Sequence, residues 1–360
     1  MKKHKVLGLM SGTSLDGLDL AYCIFLQVDK QWHFKIQKTK SVSYSSEFKS
    51  KLKKAIELPK SDLKDFHNNY GAWLGEQSKL FIEEHNLEVD CIASHGHTVH
   101  HQPEKGITVQ IGNGQSLANA SGCKVVCNFR SLDVALGGQG APLVPIGDML
   151  LFSDYDFCLN LGGVSNVSSQ KGNQRIAYDI GIANMALNYV CQKIGLEYDE
   201  DGNLARKGTV NSHLLQKLNN LKYYNLSYPK STGFEWFTSD IVPIIENTKD
   251  SVENILHTLV HHICEQIANQ IKQNSKEKSA SLLVTGGGAL NTFLMEVLQE
   301  KLGDSIQITK TSRTIIEFKE ALIFAFMGVL RLEEKTNILS SVTGAKKDSC
   351  SGVVFVPINN

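Results

Sequence analysis

Two α/β domains are the fold this sequence predicts, and three observations carry that prediction. The chain has 360 residues, long for one hydrophobic core. Short apolar runs of strand character alternate with longer helical periodicities along it. Glycine-rich breaks follow strand-like runs at three distant places, around Gly12, Gly162-Gly163 and Gly286-Gly287-Gly288. A hydrophobic content of 42% with 21% charged residues is that of an ordinary globular protein. Lys+Arg and Asp+Glu are both 37, so net charge gives no reason to expect a nucleic-acid or anionic-membrane partner.

The elements follow in order. Strands are expected over residues 5–10, 20–26, 91–94, 108–111, 124–127, 156–160, 163–169 and 281–285. Helices are expected over 61–85, 182–194, 251–273, 292–301 and 319–333. Several neighbouring strands are close enough to form antiparallel hairpins, which argues against a simple doubly wound Rossmann sheet. Residues 199–250 are polar and turn-rich and read as loops and short helices. The helix at 319–333 and the tail behind it are expected to return to the first domain. No apolar stretch reaches the roughly 18 residues of a membrane span. The basic start Lys2-Lys3-His4-Lys5 leads to an apolar run broken by Ser11 and Gly12, so no signal peptide is expected. The eight cysteines are scattered, as free buried thiols of a reducing cytoplasm would be.

Six segments could carry chemistry. In "GLMSGTSLDGLD" the glycines admit close backbone approach, Thr13 and Ser14 add hydroxyls, and Asp16 and Asp19 suit a cation lying between them and a phosphate. A plain hairpin turn also uses Gly, Ser and Asp. "NLGGVSNVSS" is a second glycine hairpin, and "LLVTGGGALNTFLMEVL" joins a strand to a helix N-terminus, a ready place for a nucleotide. The P-loop, the G-x-G-x-x-G spacing and the G-x-S-x-G elbow are all absent. In "SHGHTVHHQP", alternation puts His95 and His97 on one face. No Asp or Cys completes a metal site there, and His95 is the better candidate to meet a substrate. His257 and His261 have zinc-helix spacing without its catalytic Glu and read as a structural pair. No structural metal is expected. "NFRSLDVALGGQGAPLVPIGD" carries Arg130 and Asp133, and its Gly137–Gly140 run suggests a hinge between halves, or an ordinary loop. In "IAYDIGIANMALNYV", Asp179 ends a strand ahead of a helix, where a simple N-cap is the alternative to a functional role.

Taken together, "GLMSGTSLDGLD", "HGHTVHHQP", "NFRSLDVALGGQGAPLVP", "LNLGGVSN", "DIGIAN", "PKSTGFEW" and "TGGGALN" resemble, in that order, the anhydro-N-acetylmuramic acid kinase family. The likeness runs from about residue 6 to the tail "SVTGA". It implies the fold of the actin-like, hexokinase-like and Hsp70-like ATPases: two RNase-H-like α/β domains with the nucleotide in the cleft between them. The domain bounds expected are 1–133 with 330–360, and 134–329.

By the resemblance, Gly12, Thr13, Ser14, Asp16, Gly17 and Asp19 reach ATP phosphates and Mg²⁺. Gly162, Gly163 and Asn166 approach from the other domain, and Gly286, Gly287, Gly288 and Asn291 face the nucleoside. The reaction implied is phosphorylation of 1,6-anhydro-N-acetylmuramic acid at O6 while water opens the anhydro bridge. Asp179 is the implied base for that water. His95, Arg130, Gln139 and Glu320 line the implied sugar pocket, where Arg130 suits a carboxylate or a phosphate. A cytoplasmic homodimer serving cell-wall recycling is implied.

Two segments depart from the family pattern. D-T-G-P-G-N reads Asp179-Ile180-Gly181-Ile182-Ala183-Asn184, with Asn188 where an Asp usually follows, and D-F-R-R-R-D reads Asn128-Phe129-Arg130-Ser131-Leu132-Asp133. A kinase of another anhydro or amino sugar, and a nucleotide-binding regulatory protein without transfer chemistry, are the alternatives. The second needs no base and so leaves Asp179 without a role.

Overall fold

The structure is a computed structural model and describes residues 2–12, 15, 17–275 and 279–358. The chain forms two compact units, Met1–Leu151 with Phe318–Asn360, and Phe152–Glu317.

The first unit is built on strands β1 (Lys3–Met10), β2 (Gly17–Val28), β3 (Gln31–Ser43), β4 (Cys91–Ser94), β5 (His97–Gln102), β6 (Ile107–Ile111) and β7 (Val125–Cys127). In the second are β8 (Phe157–Leu161), β9 (Val164–Lys171), β10 (Gln174–Ile182), β11 (Ala280–Thr285) and β12 (Ile306–Thr309), and the tail returns β13 (Val353–Phe355) to the first. The main sheet of the first unit has the order β13-β7-β4-β1-β2-β3, and that of the second β10-β9-β8-β11-β12.

The two sheets repeat one plan. β1-β2-β3 and β8-β9-β10 are antiparallel meanders, and β4 and β11 then join the first strand of each meander in parallel. This is the RNase-H-like arrangement, present twice. The parallel additions need helical crossovers, supplied by Lys60–Glu84 before β4 and Val252–Asn274 before β11. Each sheet buries one face against its crossover helix. Leu7, Leu9, Leu20 and Tyr22 pack with Tyr70, Leu74 and Phe81 in one core; Leu159, Val167 and Ile180 pack with Leu256, Leu259 and Ile263 in the other.

The division between units falls after Leu151 and Glu317, not after residues 133 and 329. Contacts explain the shift. Lys346 N–H donates to the Leu136 carbonyl at 3.1 Å, a Cβ added at Gly8 on β1 would lie 2.0 Å from the Ala321 carbonyl oxygen, and a buried Lys319–Asp148 ion pair at 2.7 Å joins the two segments, so 134–151 and 318–329 are tied into the first unit. The Gly137–Gly140 run is therefore not a hinge between halves. Gly140 N–H donates to Asp133 Oδ2 at 2.8 Å, and Gln139 N–H to the Thr343 carbonyl at 2.8 Å, which makes this loop a pinned part of one unit. The tail belongs to the same unit, through β13 on β7 and Asn337, whose amide donates to the Ser351 carbonyl at 2.8 Å.

Among the described residues no helix is long and apolar enough to cross a membrane. All eight cysteines are unbridged.

Candidate active site

Asp179 lies inside β10, five residues before the helix Asn184–Gln192, whose N-cap position is Ala183. Asp179 therefore caps no helix, because the strand runs on to Ile182 where sequence periodicity suggests a helix start. It pairs across the sheet with Asn166, and Asn166 pairs with Asn160 on β8. Directly opposed residues point to one face, so these three half-buried polar side chains form a row across β8, β9 and β10. The register slips between Asp179 and Gly181; such a bulge re-aims side chains next to functional sites.

The carboxylate is caged by a segment about fifty residues away in sequence. Ser231 Oγ donates to Asp179 Oδ2 at 2.9 Å and Thr232 N–H to the same oxygen at 3.0 Å. Tyr223 donates to the Asp179 carbonyl at 2.9 Å, and the Asp179 N–H to the Lys230 carbonyl at 3.2 Å. Burial raises the carboxyl pKa, while the Thr232 amide, the Ser231 hydroxyl and the Lys230 charge pull it down. A carboxylate held by donors but partly stripped of water is poised to accept a proton.

The same unit brings two glycine segments together. Gly286, with φ +82°, sits where an added Cβ would lie 2.6 Å from Asn160 Oδ1 and 2.8 Å from the Leu161 carbonyl oxygen. Asn184 donates to that same Leu161 carbonyl at 3.0 Å, beside Gly288. Gly162 and Gly163 turn β8 into β9, and their carbonyls accept from Asn184 N–H at 3.1 Å and Ala183 N–H at 2.8 Å. Asn291 is engaged as the N-cap of Thr292–Leu302, its Oδ1 accepting from Leu294 N–H at 2.9 Å.

In the first unit the β1–β2 turn holds Gly12, and β2 opens at Gly17, paired with Ser43. Thr13, Ser14 and Asp16 lie outside the described residues. Buried Ser11 anchors the turn. Tyr44 donates to its hydroxyl at 2.7 Å, Tyr70 lies 2.8 Å beyond Tyr44, and His97 Nδ1 is 3.2 Å from Ser11 Oγ. Asp19, on β2 opposite Met10, accepts from Ser41 at 2.5 Å.

His95 and His97 do not share a face. The chain turns at Gly96 (φ +74°), so His97 faces Ser11, while His95 Nε2 meets the Arg130 guanidinium at 3.1 and 2.8 Å. Arg130 also donates to the Gly140 carbonyl at 2.5 Å. Its fork is thus largely engaged in clamping two loops rather than presented bare to a ligand carboxylate. Burial, then the Arg130 charge, holds the His95 pKa well below its ordinary value. Glu320 is exposed, yet the surrounding protein raises its pKa; Asp19 adds to the rise, and Arg130 and Lys319 oppose it. Gln139 is exposed on the pinned loop. His257 and His261 stack at 4.6 Å as a structural pair.

Among the described residues no group of three or more His, Cys, Asp or Glu is placed to hold a metal. Mg²⁺ needs less, one or two carboxylates beside phosphate oxygens and retained waters. Asp19 fits, as a half-buried carboxylate on β2 opposite Met10.

The buried neutral histidines make a stability prediction. A base whose folded pKa is depressed takes up its proton more readily when unfolded, so the stability it contributes is present above the unfolded value and lost as pH falls through the folded one. Burial lowers His97 from 6.5 to about 4 and His262 to about 3. Calorimetric melting temperatures are expected to fall steadily from pH 6.5 to 4. A flat profile over that window would contradict neutral burial.

Asn160, Asn184, Tyr223, Lys230, Ser231 and Thr232 were not marked as site residues by sequence reasoning. The last three stand in "PKSTGFEW", a segment with no chemistry of its own until folding sets it on Asp179.

The family model described as anhydro-N-acetylmuramic acid kinase matches residues 4–357. The anhydro-N-acetylmuramic acid kinase of Sulfurimonas denitrificans is 34% identical over 371 residues, covering 97% of this chain and 98% of that protein. The one from Haemophilus influenzae is 35% identical over 381 residues, covering 99% and 98%. A far more distant likeness joins it to the ROK hexokinase of Thermus thermophilus, at 13% identity and a TM-score of 0.39 over 90% of this chain and 99% of that one. With a family model matched almost end to end, this chain belongs to the anhydro-N-acetylmuramic acid kinase family.

Proposed function

We propose that this protein is a sugar kinase that phosphorylates 1,6-anhydro-N-acetylmuramic acid at O6 with ATP and opens the anhydro bridge with water, giving N-acetylmuramic acid 6-phosphate and ADP. The observation that carries this reading is Asp179: a caged, partly desolvated carboxylate in a chain of this family.

The water oxygen bonds to C1 as the C1–O6 bond breaks, and the water proton passes to an Asp179 carboxylate oxygen. The released O6 bonds to the γ-phosphorus as the bond to the β-bridging oxygen breaks. Ser231 and Thr232 hold Asp179 Oδ2, leaving Oδ1 for the water. The Gly162-Gly163 and Gly286-Gly287-Gly288 segments admit the nucleotide to close backbone contact, and the Gly12 turn serves its phosphates. Asp19, with Asp16 by sequence, would hold Mg²⁺, which neutralises phosphate charge when bound. His95 and Arg130, clamped together, and Glu320 contribute to the sugar side, with Gln139 beside them. On the same family basis we assign the enzyme as a cytoplasmic homodimer.

ADP release coupled to a reporter, with and without the anhydro sugar, tests the proposal; sugar-independent ATP turnover would favour the regulatory alternative. The Asp179 carboxylate must be ionised to act, so the acid limb of kcat/KM is expected above the ordinary aspartate value of 3.8. A limb at or below that value would contradict the role of burial.

A further inference from the structure

Lys230 is only 9% exposed, and its ammonium has no hydrogen-bond partner. It lies 4.8 Å from the centroid of the Tyr223 ring, the same tyrosine that donates to the Asp179 carbonyl. The ammonium and the Asp179 carboxylate attract one another without forming an ion pair. Thr232 Oγ1 is a second buried polar atom without a partner, although its own N–H is bound to Asp179. A buried, unpaired ammonium is destabilising, and an aromatic face offsets only part of that. Two such atoms stand two residues apart on the segment that holds Asp179, and the chain supplies neither with a partner.

We propose that Lys230 Nζ and Thr232 Oγ1 form an anion subsite beside Asp179 that receives a carboxylate carried by the acceptor. Resting on the sugar-kinase reading above, that group is the lactyl carboxylate of the muramic sugar. Charge favours a carboxylate over a phosphate. One ammonium balances one carboxylate, whereas a multiply charged phosphate would face Asp179 with a single cation to compensate. Lys230 is then the residue that distinguishes a lactyl-bearing sugar from its counterpart with a free hydroxyl.

The test compares parent and Lys230→Met on 1,6-anhydro-N-acetylmuramic acid and on 1,6-anhydro-N-acetylglucosamine, which has the same bicyclic ring without the lactyl ether. Removing a charge-assisted hydrogen bond is expected to lower kcat/KM for the muramic sugar by about 10- to 100-fold. Any loss on the glucosamine sugar reflects only the missing Lys230 charge at Asp179 and should be about tenfold smaller than the loss on the muramic sugar, while ATP affinity should keep its parental value. The melting temperature should hold or rise, because an apolar side chain replaces an unpaired buried cation. Thr232→Val should shift the preference in the same direction by less.

Equal losses on both sugars would overturn the subsite in favour of a role in setting the charge of Asp179. A fall in ATP affinity would overturn it in favour of a nucleotide phosphate. A lowered melting temperature with unchanged sugar preference would make Lys230 structural. Titration of both sugars beside a non-hydrolysable ATP analogue separates this inference from the reading beneath it. A parental preference for binding the muramic sugar, lost in Lys230→Met, upholds the subsite even if turnover fails; equal affinity for both sugars overturns it.

Discussion

Asp179→Asn is expected to lower kcat by about 10²- to 10⁴-fold, the usual loss of a positioned general base, while ATP affinity and melting temperature stay near parental values. The amide keeps the shape of the side chain and an oxygen that can still accept from Ser231 Oγ and Thr232 N–H, so the cage on β10 survives. What is lost is the ability to take a proton from water. The competing account, in which Asp179 merely caps a helix, has no geometry behind it: the residue sits within β10, and the helix that follows is preceded by Ala183. A variant with near-parental turnover would remove Asp179 from the mechanism. A collapse in melting temperature would place it in the fold instead.

Gly286→Ala is expected to raise the ATP dissociation constant at least tenfold and to lower the melting temperature by several degrees. Gly286 has φ +82° and ψ 165°, a region reserved for glycine. Forcing another residue there costs about 1–3 kcal/mol, and each kcal/mol is roughly 2–4 °C in a unit of this size. Sterics add to this, because the new Cβ would meet the Leu161 carbonyl at 2.8 Å and push the two glycine segments apart. Gly303→Ala is the matched control. Gly303 has φ 69° and ψ −165°, with nothing within 4 Å of an added Cβ. It should share the conformational loss of stability yet bind ATP normally. Equal ATP affinity in both variants would show that close approach of the glycine segments is irrelevant to the nucleotide.

Local signals carried much of the fold. Strand β4 and the helices Val252–Asn274 and Thr292–Leu302 lie within one or two residues of where the sequence puts them, because β4 is a short run buried on both faces and the helices carry apolar residues at helical spacing. β3 left little trace: it is an edge strand whose exposed positions include Lys35, Lys38 and Lys40, the charges that protect an edge from further pairing. Without β3 and the full span of β10, the repeated meander was visible only as separate hairpins. The glycine segments were legible because their backbone demands are local. The Asp179 cage was not, since Ser231 and Thr232 reach it from over fifty positions away. Nor was the parting of His95 from His97, which turns on the positive φ of Gly96.

In the proposed reaction one turnover joins phosphoryl transfer to hydrolytic opening of an anhydro sugar, with Asp179 as base. Mass spectrometry of the product from 1,6-anhydro-N-acetylmuramic acid and ATP tests it most directly. The predicted product carries one phosphoryl group and one added water, formed in step with ADP by the parent and nearly absent with Asp179→Asn. A phosphorylated sugar with its anhydro bridge intact, or ADP formed with no change in the sugar, would contradict the claim.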